Sequence, residues 1–334
     1  MAKTALTRDA ELLALYTGLP YQKALGIAGD VRRREPLIPH PSPQQELLER
    51  GLLREIAWPS NNPVRPWGIV YVHPQRDQLT VRFEGDTMAG ELARALPPRA
   101  DEYGEVHGIP GARFSPPTDQ GITMTLLGTQ AKVQITGIRP DAWKAALKAE
   151  EKETHRCDWV SCYRKSPNYW TDEERADVQG RGALLMARSE RTASSAWLAS
   201  GLLRRVGLWR TVGVPLSTTS WVNPAGRGEQ WIIDHIHEPQ DAPGDHDRFA
   251  RLLTAPHWGM PLKLEDRWCT CHQSHAEQCV LTMTSTDGGA GELQLRFPRR
   301  SDQNHWSQHV LDGYQAKTRV PVPVRPWVLN ALAR

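Results

Sequence analysis

The chain has 334 residues, 24% of them charged and 39% hydrophobic, which is enough for two ordinary domains each burying its own core. Its 41 Lys and Arg against 38 Asp and Glu give a formal net charge of +3, a balance that neither demands an acidic partner nor precludes a local basic patch. No apolar run approaches membrane-spanning length, and five cysteines in so long a chain do not suit a disulfide scaffold, so a reduced, cytoplasmic protein without a membrane segment is expected. Arginine far outnumbers lysine, which points to a GC-rich bacterial source.

Residues 1–35 read as a helix pair. Leu12, Leu13 and Leu15 are broken off by Gly18-Leu19-Pro20, and a second helix follows from Tyr21. A helix over 43–56 places Leu48, Leu52 and Ile56 on one stripe. A hairpin turns at His73–Asp77, and its second strand alternates Leu79, Val81 and Phe83 with Thr80, Arg82 and Glu84. A short helix (88–96) leads to a second hairpin (121–127 with 131–138) and to a helix after Pro140 that carries Trp143. Residues 151–185 form a connector.

The order then repeats. A helix over 192–206 carries Leu198, Leu202 and Val206. A hairpin turn at 223–228 and a short helix (246–254) follow. The next hairpin, 279–285 with 292–297, turns at Asp287-Gly288-Gly289, and a last helix after Pro298 bears Trp306. Residues 313–334, with Val320-Pro321-Val322-Pro323-Val324, read as an extended tail, because proline is excluded from central strands.

Local matches follow the same order. Gly51-Leu52-Leu53-Arg54 recurs as Gly201-Leu202-Leu203-Arg204, and Val72-His73-Pro74 as Val222-Asn223-Pro224. Gln78 answers Gln230, Ala93-Arg94 answers Ala250-Arg251, Thr123-Met124-Thr125 answers Thr282-Met283-Thr284, and Trp143 answers Trp306. The offsets climb through 150, 152, 157, 159 and 163. The expected fold class is therefore α+β: a tandem duplication of a helix–hairpin–helix–hairpin–helix unit, residues 36–150 and 186–312, related by a pseudo-twofold. Each unit is expected to be an antiparallel sheet with helices on one face. This order of elements resembles that of type III secretion chaperone-like and YbjN-like folds. Glycine within a helix costs about 1 kcal/mol relative to alanine. Its presence at both Gly51 and Gly201 predicts a close approach of each helix to its sheet.

Three groups of residues carry candidate chemistry. His235 and His237 alternate on a strand, a chelating geometry for a divalent metal, and a water on that metal would be a hydrolytic nucleophile. His235, however, matches Phe83 of the first unit, a packing position. Cys269, Cys271, His275 and Cys279 fall in one loop and offer a structural zinc site; Cys157 and Cys162 lie in the connector. Arg204, Arg205, Arg296, Arg299 and Arg300 gather in the second unit as candidate binding residues. No phosphate-binding glycine loop, dinucleotide fingerprint, nucleophile elbow or kinase motif is present. The leading expectation is a cytoplasmic, non-enzymatic binding or adaptor protein whose second unit contacts a protein partner. One alternative is a nucleic-acid binder using the same arginines. The other is a metal-dependent hydrolase centred on His235 and His237.

Overall fold

A computed structural model of the chain describes residues 4–30, 36–57, 65–179, 183–212, 214–225, 228–238, 245–269 and 278–298. The expected helix after Pro298, the tail 313–334, and Cys271, His275, Arg299 and Arg300 lie outside these residues.

The expected N-terminal helix pair is α1 (Ala5–Thr17) and α2 (Tyr21–Asp30). Thr4 caps α1 by accepting the Thr7 N–H, and Gly18 ends it at a left-handed φ of 77°. The first half of the molecule continues with α3 (Pro43–Glu55), β1 (Ile69–Pro74), β2 (Gln78–Phe83) and α4 (Ala89–Ala95). A small hairpin, β3 (Arg99–Ala100) and β4 (Val106–His107), precedes β5 (Ala112–Phe114), β6 (Ile122–Leu126), β7 (Lys132–Thr136) and α5 (Pro140–Arg156). The connector holds β8 (Val160–Ser161), α6 (Cys162–Lys165) and α7 (Asp172–Gln179). The second half comprises α8 (Ala183–Arg204), β9 (Val214–Ala225), β10 (Gly228–Glu238), α9 (Asp245–Leu253), β11 (Leu262–Cys269), β12 (Gln278–Ser285) and β13 (Glu292–Pro298). Among the described residues no helix is long and apolar enough to cross a membrane.

The molecule is α+β, built around two five-stranded mixed sheets, β1-β2-β7-β6-β5 and β9-β10-β13-β12-β11. The expected all-antiparallel sheets are corrected here. Within each, the local hairpins are antiparallel, but β2 runs parallel to β7 and β10 parallel to β13. A hairpin's direction is set by its own turn, whereas the pairing between hairpins follows a crossover through α4 or α9 that leaves no mark on the strand pattern. Burial alternates along β7 and β13, so each sheet turns one face to the core.

The registers correspond as well as the order. Pro74, Leu79, Val133, Met124 and Phe114 form one row across the first sheet. Val222, Trp231, Leu293, Met283 and Leu264 form the same row in the second. Val222 thus stands where Pro74 stands. The Val72-His73-Pro74 match with Val222-Asn223-Pro224 is out of structural register by two residues, because the β9–β10 hairpin runs on through three further pairs to Ala225 and Gly228, whereas the β1–β2 ladder ends at Pro74 and Leu79. The offset also falls: Ile109-Pro110, just before β5, corresponds to Met260-Pro261, just before β11, a difference of 151. The β3–β4 hairpin inserted in the first half accounts for the fall.

Gly51 and Gly201 are explained by these same loops. A Cβ on Gly51 would lie 3.1 Å from Cγ2 of Ile109, and one on Gly201 only 2.4 Å from Cε of Met260. What comes close is the apolar side chain before the third strand, not the sheet backbone.

The halves share one core, and α3 packs on α8. Between these helices Glu49 and Arg204 form an ion pair with side-chain exposures of 0% and 1%. Arg204 donates through Nε and Nη2 at 2.8 and 2.7 Å, and Ser200 Oγ and Gln45 Nε2 also donate to the carboxylate. The remaining Arg204 donors bind the carbonyls of Pro39 and Gln75. The next residue, Arg50, pairs with Glu229 on β10, which also accepts from Thr192 and Ser195. Removing one member of such a buried pair strands the other charge, a loss of about 3–5 kcal/mol. Arg204→Leu is therefore expected to lower the unfolding free energy by about that amount in urea titrations, whereas a single exposed pair such as Arg175–Asp172 is worth at most about 1 kcal/mol.

Candidate functional site

The expected chelating pair fails at His235. That residue is fully buried on β10. Its Nδ1 is 2.9 Å from the Thr218 hydroxyl, and its Nε2 is 3.4 Å from the Val212 carbonyl. A carbonyl only accepts, so Nε2 carries the proton and Nδ1 accepts from Thr218. With both nitrogens engaged and Trp209 and Phe297 beside the ring, His235 packs as Phe83 does in the first half.

Two of the five candidate binding arginines are corrected as well. Arg204 is consumed by the pair with Glu49. Arg205 donates to the carbonyls of Trp258, Gly259 and Gly201, and burial pushes its pKa down to about 10. Both guanidiniums are held within the fold, where they border the second of the two clefts described below. Arg210, in the same stretch, is likewise pushed down to about 10 by burial. Arg296 lies over the Trp221 ring at 5.2 Å, beside Asp234, whose carboxyl burial raises against the pull of Arg296.

The cysteines divide. Cys157 is exposed and Cys162 is buried in the connector. Cys269 and Cys279 face each other across β11 and β12 with sulfurs 3.4 Å apart. The third member of their cluster is His246, near the start of α9, with Nε2 3.2 Å from the Cys269 sulfur. All three donor atoms lie within 4.8 Å of one another. Cys269 and Cys279 belong to the expected cysteine cluster, whereas His246 is not among the residues the sequence singles out. The available signal was the apolar pattern of α9, where Phe249, Leu252 and Leu253 turn inward and carry His246 with them.

Two clefts correspond between the halves. The first, about 240 Å³, lies over Gly51, Ile109, Pro110 and Leu126. The second, about 290 Å³, lies over Gly201, Met260, Pro261 and Ser285. The first is closed by Trp170 and Val178 of the connector and Ala193 on α8, the second by Ile38, Pro39 and Pro41 of the chain that leads into α3.

The wall of the first cleft is held by Glu174. Its carboxylate accepts from Thr171 N–H, from Gly111 N–H and from both terminal nitrogens of Arg113, while Thr171 Oγ1 accepts the Glu174 N–H. This is a capping box at the start of α7 that also anchors the connector to β5. Burial alone would raise the Glu174 pKa, but Arg113 and the two N–H donors outweigh it and hold the carboxyl below its ordinary range.

Compared with protein-family models, with curated proteins and with solved structures, the chain matches none.

A carboxyl whose folded pKa is depressed stabilises the protein above its unfolded pKa, and that contribution is lost as pH falls through the folded value. Glu174→Gln is therefore expected to be destabilised relative to the parent at neutral pH, with the gap closing in acid. Urea midpoints across pH 3–7 (roughly the carboxylate titration range and above) measure this, and a gap independent of pH would contradict the role given to Glu174.

Proposed function

We propose that the chain is a non-enzymatic binding protein made of two fused copies of one α+β unit, and that it takes a protein partner in the cleft beside Gly51. The observation that carries the reading is the paired clefts. Equivalent residues build both, and each needs a segment of the opposite half as its far wall. The matched strand order and register support descent of the halves from one unit.

The chemistry of the first cleft favours a peptide segment. Its floor is apolar, with Leu47, Ile109 and Leu126, and Trp170 stands at one side. Its rim carries exposed Glu105 and Asp177, together with Arg54, which is paired to Glu55 at 3.6 Å. An apolar side chain next to a basic one is complementary to that surface, whereas a phosphate backbone would meet like charge. This moves the binding surface from the arginines of the second half to a cleft shared by both halves.

Ala193 is exposed on the cleft wall, and Ala145 is exposed on α5 outside it. With purified protein as bait, a partner identified by cross-linking is expected to bind Ala193→Trp about tenfold or more weakly, and Ala145→Trp as well as the parent. Equal binding by both variants would overturn the reading. So would affinity for duplex DNA that falls steeply with salt and ignores Ala193→Trp.

A further inference from the structure

We propose that His246, Cys269 and Cys279 supply three of the four ligands of one tetrahedral thiolate-bound cation, zinc by its donor preference, with water on the half-buried Cys269 side as the fourth, and that this cation clips α9 to the far end of the β11–β12 hairpin. Zinc takes sulfur at about 2.3 Å and imidazole nitrogen at about 2.0–2.1 Å. Tetrahedral angles then set the sulfurs about 3.8 Å apart and sulfur about 3.5 Å from nitrogen. Two of the distances found, 3.4 Å and 3.2 Å, fall a few tenths short of these values, and all three donor atoms lie within 4.8 Å of one another, so small shifts bring them around one centre.

A disulfide accounts for the cluster less well. It would require the sulfurs at about 2.05 Å and would leave the imidazole against Cys269 without a purpose. The donor set is also selective. Two thiols and an imidazole suit zinc and exclude magnesium or calcium, which take oxygen. His246 and Cys279 are buried, at 5% and 3% exposure, and Cys269 is half-buried. Phe297 packs against the His246 ring at 5.9 Å and fixes its orientation. Asp247 lies 3.5 Å from the same imidazole nitrogen and is itself held by Arg267 at 2.8 Å, which keeps that carboxylate beside the site.

The site has a place in the fold. In the first half the third strand, β5, is only three residues long, while β11 has eight. The matching positions in the first half are Ala89 and Gln120, neither a thiol nor an imidazole. The longer hairpin of the second half is thus the one that carries the clip. Binding is coupled to folding because the three ligands meet only when α9 is seated on the sheet.

Protein purified under reducing conditions is expected to contain one equivalent of zinc by elemental analysis. The content should fall to none in His246→Ala and in Cys269→Ser and remain at one in Cys157→Ser. A strong chelator should lower the Tm of the parent and leave that of His246→Ala unchanged. If the variants fail to fold, cobalt substituted into the parent serves instead. Thiolate-to-cobalt charge transfer and X-ray absorption showing two sulfurs with nitrogen support the site. Metal-free parent protein, a Cys269–Cys279 disulfide found by non-reducing peptide mapping, metal retained by His246→Ala, or a first shell without sulfur would each overturn it.

Discussion

Glu49 and Arg50 are neighbours on α3, and each grips the other half of the molecule. Successive helix residues point about 100° apart, so the two side chains leave α3 in different directions. Glu49 meets Arg204 on α8, and Arg50 meets Glu229 on β10. An apolar helix interface tolerates small slides, but a buried ion pair does not, because any slide strands a charge in a low-dielectric core. Two such pairs from adjacent residues fix both the translation and the rotation of α3 against the second half. Arg204 carries the constraint further, since its remaining donors hold the carbonyls of Pro39 and Gln75.

The clefts are a consequence of this docking. With α3 and α8 pinned, each helix presents its glycine to an apolar residue of its own half, Ile109 or Met260. The chain entering one helix must then pass beside the other, and that passage makes the outer wall. The walls differ in construction. Pro39 is tied to Arg204, whereas α7 is tied through Glu174 to Arg113 and the backbone of β5. The first cleft therefore depends on a carboxylate anchor that acid weakens.

The halves share a strand plan but are secured by different means. In the first half, α5 seats Trp143 against Phe114, and the β3–β4 hairpin receives β8 from the connector. In the second, the hairpin of β11 and β12 extends well past the sheet row that ends at Leu264, and its far end meets α9 at His246. β12 is paired with β13 along its length, whereas β11 is the edge strand with β12 as its neighbour in the sheet, so a contact at Cys269 adds a second hold on the end of β11.

The elements were legible in the sequence because they rest on local patterns. The stripes of α3 and α8, the alternation in β2, and the turn at Asp287–Gly289 each need only a few neighbours to be read, and the two-part plan followed from their order. The outcome at His235 was also readable, since its match with Phe83 predicted packing. What the sequence could not set was every relation between distant segments. Parallel pairing of β2 with β7 and of β10 with β13 depends on a crossover, which strand periodicity does not encode. The arginines looked like a surface because charge is usually solvated, yet Glu49 and a row of carbonyls turned Arg204 and Arg205 inward. His246 joined Cys269 and Cys279 only because α9 folds back over the sheet. Sequence determined which residues were apolar, strand-forming or able to ligate; tertiary packing decided which of them meet, because those meetings are paid for by burial over long separations along the chain.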